Sequence, residues 1–214
     1  MQIDIISDTV CPWCFIGKRR LEKALASRPD LQPVITWRPF QLNPDMPAEG
    51  HDRAAYLAAK FGGPERAERM YQNVRDAGAA DSVPFAFEKM LRMPNSLASH
   101  CVMRWAIAPG LQWQMAERLF SAYFIEGRDV GDHATLAELA GEVGLDARLV
   151  RELLDAGRDR DQVAAEDQVA REMGIEGVPC FIFERKYAVS GAQDPAVFLQ
   201  VFDVVEREAA SAAG

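Results

Sequence analysis

What this sequence lacks narrows it first. No apolar run in its 214 residues approaches the roughly 20 needed to span a membrane, so no membrane partner is expected. Positive charge is short. With 24 Lys and Arg against 32 Asp and Glu, the net charge is −8, and no nucleic-acid partner is expected without a basic field. Histidine is scarce, with only His51, His100 and His133. Four cysteines are far too few for a secreted disulfide framework. No glycine-rich phosphate loop follows a strand, and no similar segment recurs at a 20–50-residue period. The opening residues, Met1 to Asp8, carry two acids and no basic flank, so a cytoplasmic location is expected.

What is present is an ordinary globular composition, 49% hydrophobic and 26% charged, which excludes a disordered chain. Residues 129–214 hold 18 acids and 8 bases, whereas residues 1–128 hold 14 and 16. This predicts an acidic helical surface in the C-terminal part.

Periodicity orders the chain. Ile3, Ile5 and Ile6 mark a strand at about 2–7. Cys14, Lys18, Leu21 and Leu25 recur at helical spacing up to about Ser27, and Pro29 stops that helix. Val34 to Arg38 read as a second strand, which makes a parallel βαβ unit. Asn43 to Gly50 is a loop. Helices are then predicted at about 52–62, 64–78, 95–108, 111–126, 133–143, 146–156 and 159–173. Gly62-Gly63-Pro64, Ala108-Pro109-Gly110 and Gly127 punctuate them. A hairpin follows, with one strand at 178–183 and another at 187–190. The last helix, 194–209, turns Val197, Val201, Val204 and Val205 inward. A sheet therefore needs both chain ends, with the fold class α/β. Residues 1–45 and 175–214 are expected to form one unit, with a helical insertion at 46–174.

The chemistry is expected at Cys11-Pro12-Trp13-Cys14. Residues three apart at a helix start share a face, so the two sulfurs can close a disulfide within one turn. The first lies beside unpaired helix N–H groups, where negative charge is favoured. Cys11 is then the attacking thiolate and Cys14 the resolving thiol. Three other readings of the pair stand beside this one. A zinc half-site lacks a second matching pair of ligands. Two inert buried cysteines could share this spacing by chance. A c-type haem site is excluded, because Phe15 rather than histidine follows Cys14. The second signal is Val178-Pro179. A proline opening a strand is a candidate for a cis bond.

Several segments together carry a resemblance over nearly the whole length. They are Asp8 to Cys14, Pro39 to Pro47, Asn95-Ser96 with His100, Gly177-Val178-Pro179, and Val189 to Gln193. The chain resembles the DsbA-like thioredoxin-fold oxidoreductase superfamily, and within it the FrnE-like branch. The resemblance implies a thioredoxin fold with a large all-helical insertion, a redox-active Cys11–Cys14 pair and a cis Val178–Pro179 bond. It also implies that the backbone before Pro179 can pair with a substrate chain. Related 2-hydroxychromene-2-carboxylate isomerases and kappa-class glutathione transferases share this fold with serine at the first cysteine position. Two sulfurs here favour dithiol exchange.

The expected function is therefore thiol-disulfide oxidoreduction on protein or small-molecule thiols and disulfides. Catalysis falls to Cys11 and Cys14, and substrate binding to Pro12, Trp13, Val178 and Pro179. No metal and no cofactor beyond the dithiol are expected, with glutathione a candidate co-substrate. One alternative is a glutathione-dependent isomerase or transferase. The other is a partner-binding helical protein with an incidental cysteine pair. The long helical block offers surface for a homodimer. Trp13 is read as an exposed platform, with core burial the rival; Asp8 as a loop cap, with an influence on the Cys14 proton the rival; and Lys18 as a solvated stem. Cys101 and Cys180 are read as buried small hydrophobes, with Cys180 facing away from Pro179 across the sheet.

Overall fold

A computed structural model describes residues 1–62 and 64–212. Gly63, the middle of the expected Gly62-Gly63-Pro64 break, lies outside them. The chain runs β1 (Gln2–Ser7), α1 (Pro12–Ala26), β2 (Val34–Pro39), β3 (His51–Asp52), α2 (Arg53–Phe61) and α3 (Pro64–Ala80). Then come β4 (Arg92–Met93), α4 (Leu97–Trp105), α5 (Gln112–Ser121), α6 (His133–Glu142), α7 (Ala147–Asp155) and α8 (Arg160–Glu172). β5 (Cys180–Phe183), β6 (Tyr187–Ser190) and α9 (Pro195–Ala212) complete it.

Strand alternation builds the sheet, whose order is β2-β1-β5-β6. β1 is central. It runs parallel to β2, with Ile5 opposite Trp37, and antiparallel to β5, with Ile5 opposite Phe181. Ile3, Ile5, Trp37, Phe181 and Phe183 pack with Phe15 and Leu21 of α1 and Phe198 and Phe202 of α9. Ile6, Phe40 and Cys180 point the other way, toward Ala170 of α8. The main core does not stop at the sheet. Phe15 stacks on Phe120 of α5 with ring centres 5.2 Å apart, and Phe120 lies 6.0 Å from Trp37. The helical block thus holds α1 from the residue next to Cys14.

Element types follow the sequence reading, with four differences. The late strand starts at Cys180, not at 178, because Val178 and Pro179 form the turn into it. The expected 111–126 helix is α5 followed by a π-helical turn, Ala122–Glu126, ending at Gly127 with φ of 77°. A two-residue ladder, β3 with β4, is new; it is too short for any period to reveal. On α9 the buried stripe centres on Phe198, Phe202 and Val205, while Val197 and Val201 are half-buried, since the larger rings take the space under β5.

Lys18 overturns its expected role. It is 1% exposed, with Nζ 2.6 Å from Glu22 and 2.9 Å from Glu117 and 4.3 Å over the Trp113 ring. The covering residues come from α5, 99 positions further along in the case of Glu117. Burial works to raise the Glu22 carboxyl, but Lys18 and then Arg19 outweigh it and hold it below its ordinary range. Among the described residues, no helix is long and apolar enough to cross a membrane.

Candidate active site

β1 delivers the chain to the site and α1 leaves from it. Asp8, Thr9 and Val10 turn between them, and the Cys11 N–H donates to the Asp8 carbonyl at 3.1 Å. Cys11 is the N-cap of α1 in extended conformation, with Pro12 in the first turn. Proline suits that place because its missing N–H would have no helical partner there. The Cys14 N–H donates to the Cys11 carbonyl at 3.1 Å, so the second sulfur sits one turn inside. Both cysteines are free thiols. Trp13, between them, is 38% exposed.

The two sulfurs differ in environment. Burial pushes the Cys14 thiol well above its ordinary value, and the hydrogen bond and charge of Cys11 push it further. The Ser7 hydroxyl and the Asp8 backbone pull in the other direction. The Cys11 Sγ faces the Val178 carbonyl at 3.6 Å. The Val178–Pro179 bond is cis, and the Pro179 carbonyl accepts from the Gly191 N–H at 2.7 Å. Gly17 lets this turn approach α1. A Cβ there would lie 2.9 Å from Pro179 Cγ and 3.0 Å from Phe181 Cζ. The structure therefore brings Cys11, Cys14, Val178 and Pro179 to one place, with Pro12 and Trp13 at its edge.

Asp8 ties the next loop to this place. Its carboxylate is fully buried and accepts from the Leu42 N–H at 2.7 Å and the Val10 N–H at 3.3 Å. From the other side, Asp167 of α8 accepts the Gln41 N–H at 2.8 Å, and Arg171 binds Asp167 and the Gln41 carbonyl. The loop after β2 is thereby pinned beside the cysteines, leaving Leu42 43% exposed. Sequence reading offers Asp8 a loop cap or an influence on the Cys14 proton, and neither points to the loop after β2. Beyond Val10, its carboxylate meets Leu42, 34 positions away, and lies 3.4 Å from His100 Nε2, 92 positions away, and no local spacing signals either.

His100 and Ser99 of α4 close the back of the site. The Thr9 hydroxyl lies 2.6 Å from that of Ser99, and Ser99 itself donates to the Ser96 carbonyl at 2.7 Å, so Thr9 is the donor in the first contact. His100 Nε2 is 3.4 Å from Asp8 Oδ1. Cys101 and Cys180 are buried away from the pair. Burial raises the Cys101 thiol to about 11 and also raises that of Cys180, against a smaller pull from Ser190. No cluster of three or more His, Cys, Asp or Glu suited to a metal occurs among the described residues.

Comparison with known proteins identifies the family and the fold. The family profile described as DSBA-like thioredoxin domain matches residues 2–203. The crystal structure of the probable DsbA oxidoreductase SCO1869 from Streptomyces coelicolor is 32% identical, with a TM-score of 0.85 over 94% of this chain and 88% of that one. The uncharacterized protein YwbO of Bacillus subtilis (strain 168) is 27% identical over 183 residues, covering 85% of this chain and 86% of its own. The cytosolic disulfide reductase DsbM from Pseudomonas aeruginosa, solved with GSH, shares the fold. Its identity is 19% and its TM-score 0.69, over 97% of this chain and all of that one.

Proposed function

Because the chain belongs to the DSBA-like thioredoxin domain family, we propose that it is a thiol-disulfide oxidoreductase working through Cys11 and Cys14. The Cys11 thiolate attacks a substrate disulfide and keeps one sulfur as a mixed disulfide, while the other leaves as a thiolate. Cys14 then attacks Cys11, releases the second thiol and leaves the pair oxidised. In the other direction, the oxidised pair accepts attack from a substrate thiol. The dithiol carries both electrons, so no resident cofactor is invoked.

One observation carries this reading. Cys11 caps the N-terminus of α1, buried with its Sγ against the Val178 carbonyl, and Cys14 lies buried one turn below, so the two sulfurs stand together at the start of one helix. Pro12, Trp13, Val178 and Pro179 form the substrate-facing rim. Protein or small-molecule disulfides are the proposed substrates, with glutathione as co-substrate. A fold shared with a disulfide reductase solved with GSH supports that assignment. The fold shared with a cytosolic disulfide reductase supports a cytoplasmic location.

Replacing Cys14 by Ser should leave attack intact and block resolution. Incubated with oxidised glutathione, Cys14→Ser should gain the mass of one glutathione and lose it on reduction, whereas Cys11→Ser should gain none at this pair. Turnover by Cys14→Ser equal to the parent would remove the dithiol mechanism and favour a glutathione-dependent isomerase or transferase.

A further inference from the structure

We propose that the face of the sheet turned away from α1 carries a second binding site, a trough that takes a medium-chain alkyl carboxylate. The site lies apart from the cysteine pair and does not depend on the dithiol reading.

Strand alternation sends Asp4 and Ile6 of β1 to the face opposite Ile3 and Ile5. Arg38 stands beside Ile6 on that face, and Ile182 beside Asp4. α8 covers it only in part. Ala170 seals Ile6, Phe40 and Cys180 into a small core. Next to that core a cavity of about 370 Å³ remains, floored by Ile6 and Ile182 and walled by Val169, Ala170 and Met173. Its size falls in the range of about 300–1,000 Å³ that small-molecule sites occupy. Residues 166, 169, 170 and 173 form one stripe of α8, the side a helix ordinarily buries against its sheet. Here Val169 is 54% exposed and Met173 63%. The sheet leaves this apolar stripe unpartnered.

Charge identifies the occupant. Four charged side chains line the trough, and three of them are already matched. Arg38 Nε lies 2.9 Å from Asp4 Oδ1, and Glu166 is paired with Arg104 of α4. Arg185 has no counter-charge among the described residues. It is carried by the turn between β5 and β6, where Glu184 and Arg185 take φ of 50° and 57°, the left-handed region that glycine usually fills. Glu184 fastens this turn to β1. Its N–H donates to the Gln2 carbonyl at 3.0 Å, and its carboxylate accepts the Gln2 N–H at 2.7 Å. The turn is thereby held in place and the guanidinium beside it left unmatched.

An occupant that fits has one negative charge at the Arg185 side and an apolar body. In sheet order Arg38 stands on β2 and Arg185 just past β5, with β1 between, so the floor is about 10 Å across. An elongated body fits that span. The apolar walls are aliphatic and offer no ring for an aromatic body to stack on. A carboxylate meets a guanidinium through two parallel N–H···O bonds. An alkyl carboxylate satisfies all three conditions.

The test titrates sodium decanoate, below its micelle-forming concentration, into the full chain. Calorimetry reads the affinity, and ¹³C-methyl-labelled methionine reads the place. The wild type should bind one decanoate per chain. Of its eight methionine methyl signals, that of Met173 should move most, and Met173→Leu identifies it by its loss. Arg185→Gln should weaken binding about three- to fivefold, the worth of one exposed ion pair. Arg185→Glu should weaken it at least about tenfold, because attraction becomes repulsion. Decyltrimethylammonium, with the same chain and the opposite charge, should bind the wild type at least about tenfold more weakly than decanoate does. Cys11→Ser should bind decanoate as the wild type does, which separates this site from the cysteine chemistry. No saturable binding at millimolar decanoate would overturn the proposal. Equal affinity in Arg185→Glu and the wild type would do the same, as would a Met173 signal that stays still while others move. A wild-type dimer that Met173→Glu splits and decanoate does not would assign this face to a second copy of the chain instead. If a variant does not fold, the wild-type methyl spectrum and the comparison with the cationic chain decide.

Discussion

At the scale of single residues, the site depends on one missing side chain. Gly17 has an ordinary helical backbone, so its role is space alone. The Pro179 ring and Phe181 occupy the volume a methyl would take. Gly17→Ala should force the Val178–Pro179 turn away from Cys11 or push α1 off the sheet. Overpacking of this kind costs about 1–3 kcal/mol. The variant should melt several degrees lower and form the mixed disulfide more slowly, because the Val178–Pro179 turn no longer stands at its native distance from Cys11. An unchanged melting temperature and attack rate would show that the contact yields freely and does not set the geometry.

At the scale of elements, α1 is held at both ends by the inserted helices. Near its start Phe15 stacks into α5, and near its end Arg20 and Lys23 each lie 2.7 Å from the carboxylate of Asp81, just past α3. Burial works to raise the Asp81 carboxyl, but Lys23 and Arg20 outweigh it and hold it below its ordinary range. A carboxyl lowered by folding stabilises above its unfolded titration, and that contribution fades as pH falls through the folded value. Asp81→Asn should therefore lower stability at pH 7 by about 1–2 kcal/mol, the partners being partly exposed. The gap should narrow once the pH drops below the ordinary aspartate value of 3.8 and close further down. Denaturant melts at pH 7 and pH 3 would check this, and a gap that widens in acid would contradict it. These clamps also mark where sequence reading ran out. The strands and helices were legible because periods of two and of 3.6 residues separate cleanly here, and the cysteine pair was legible because both sulfurs lie within one turn. Lys18 and Asp81 were not, since a charge on a helix stripe says nothing about a helix or turn that closes over it from 60 or 100 residues away. The His100–Asp8 contact escaped for the same reason, although the resemblance had already placed His100 among its motifs.

At the scale of the whole molecule, the two stretches of chain that make the sheet and the helical block between them share one continuous core. Sheet and block should consequently unfold together. Far-ultraviolet dichroism, reporting mostly helices, and tryptophan fluorescence, reporting all four tryptophans including Trp37 and Trp113 at their junction, should give coincident denaturation curves. Two separated transitions would mean the block stands by itself. The central position of β1 has a further consequence for how the protein is made. Its parallel neighbour β2 leaves the ribosome soon after it, but its antiparallel neighbour β5 follows some 170 residues later. At about 5–20 residues per second that interval is roughly 10 to 30 s. Throughout it the nascent chain carries Cys11 and Cys14 with neither the Val178 carbonyl nor the β5 strand in place. The Cys11–Cys14 pair is thus synthesised well before the strand and turn that enclose it, and during translation its thiols depend on the reductants of the surroundings rather than on the fold.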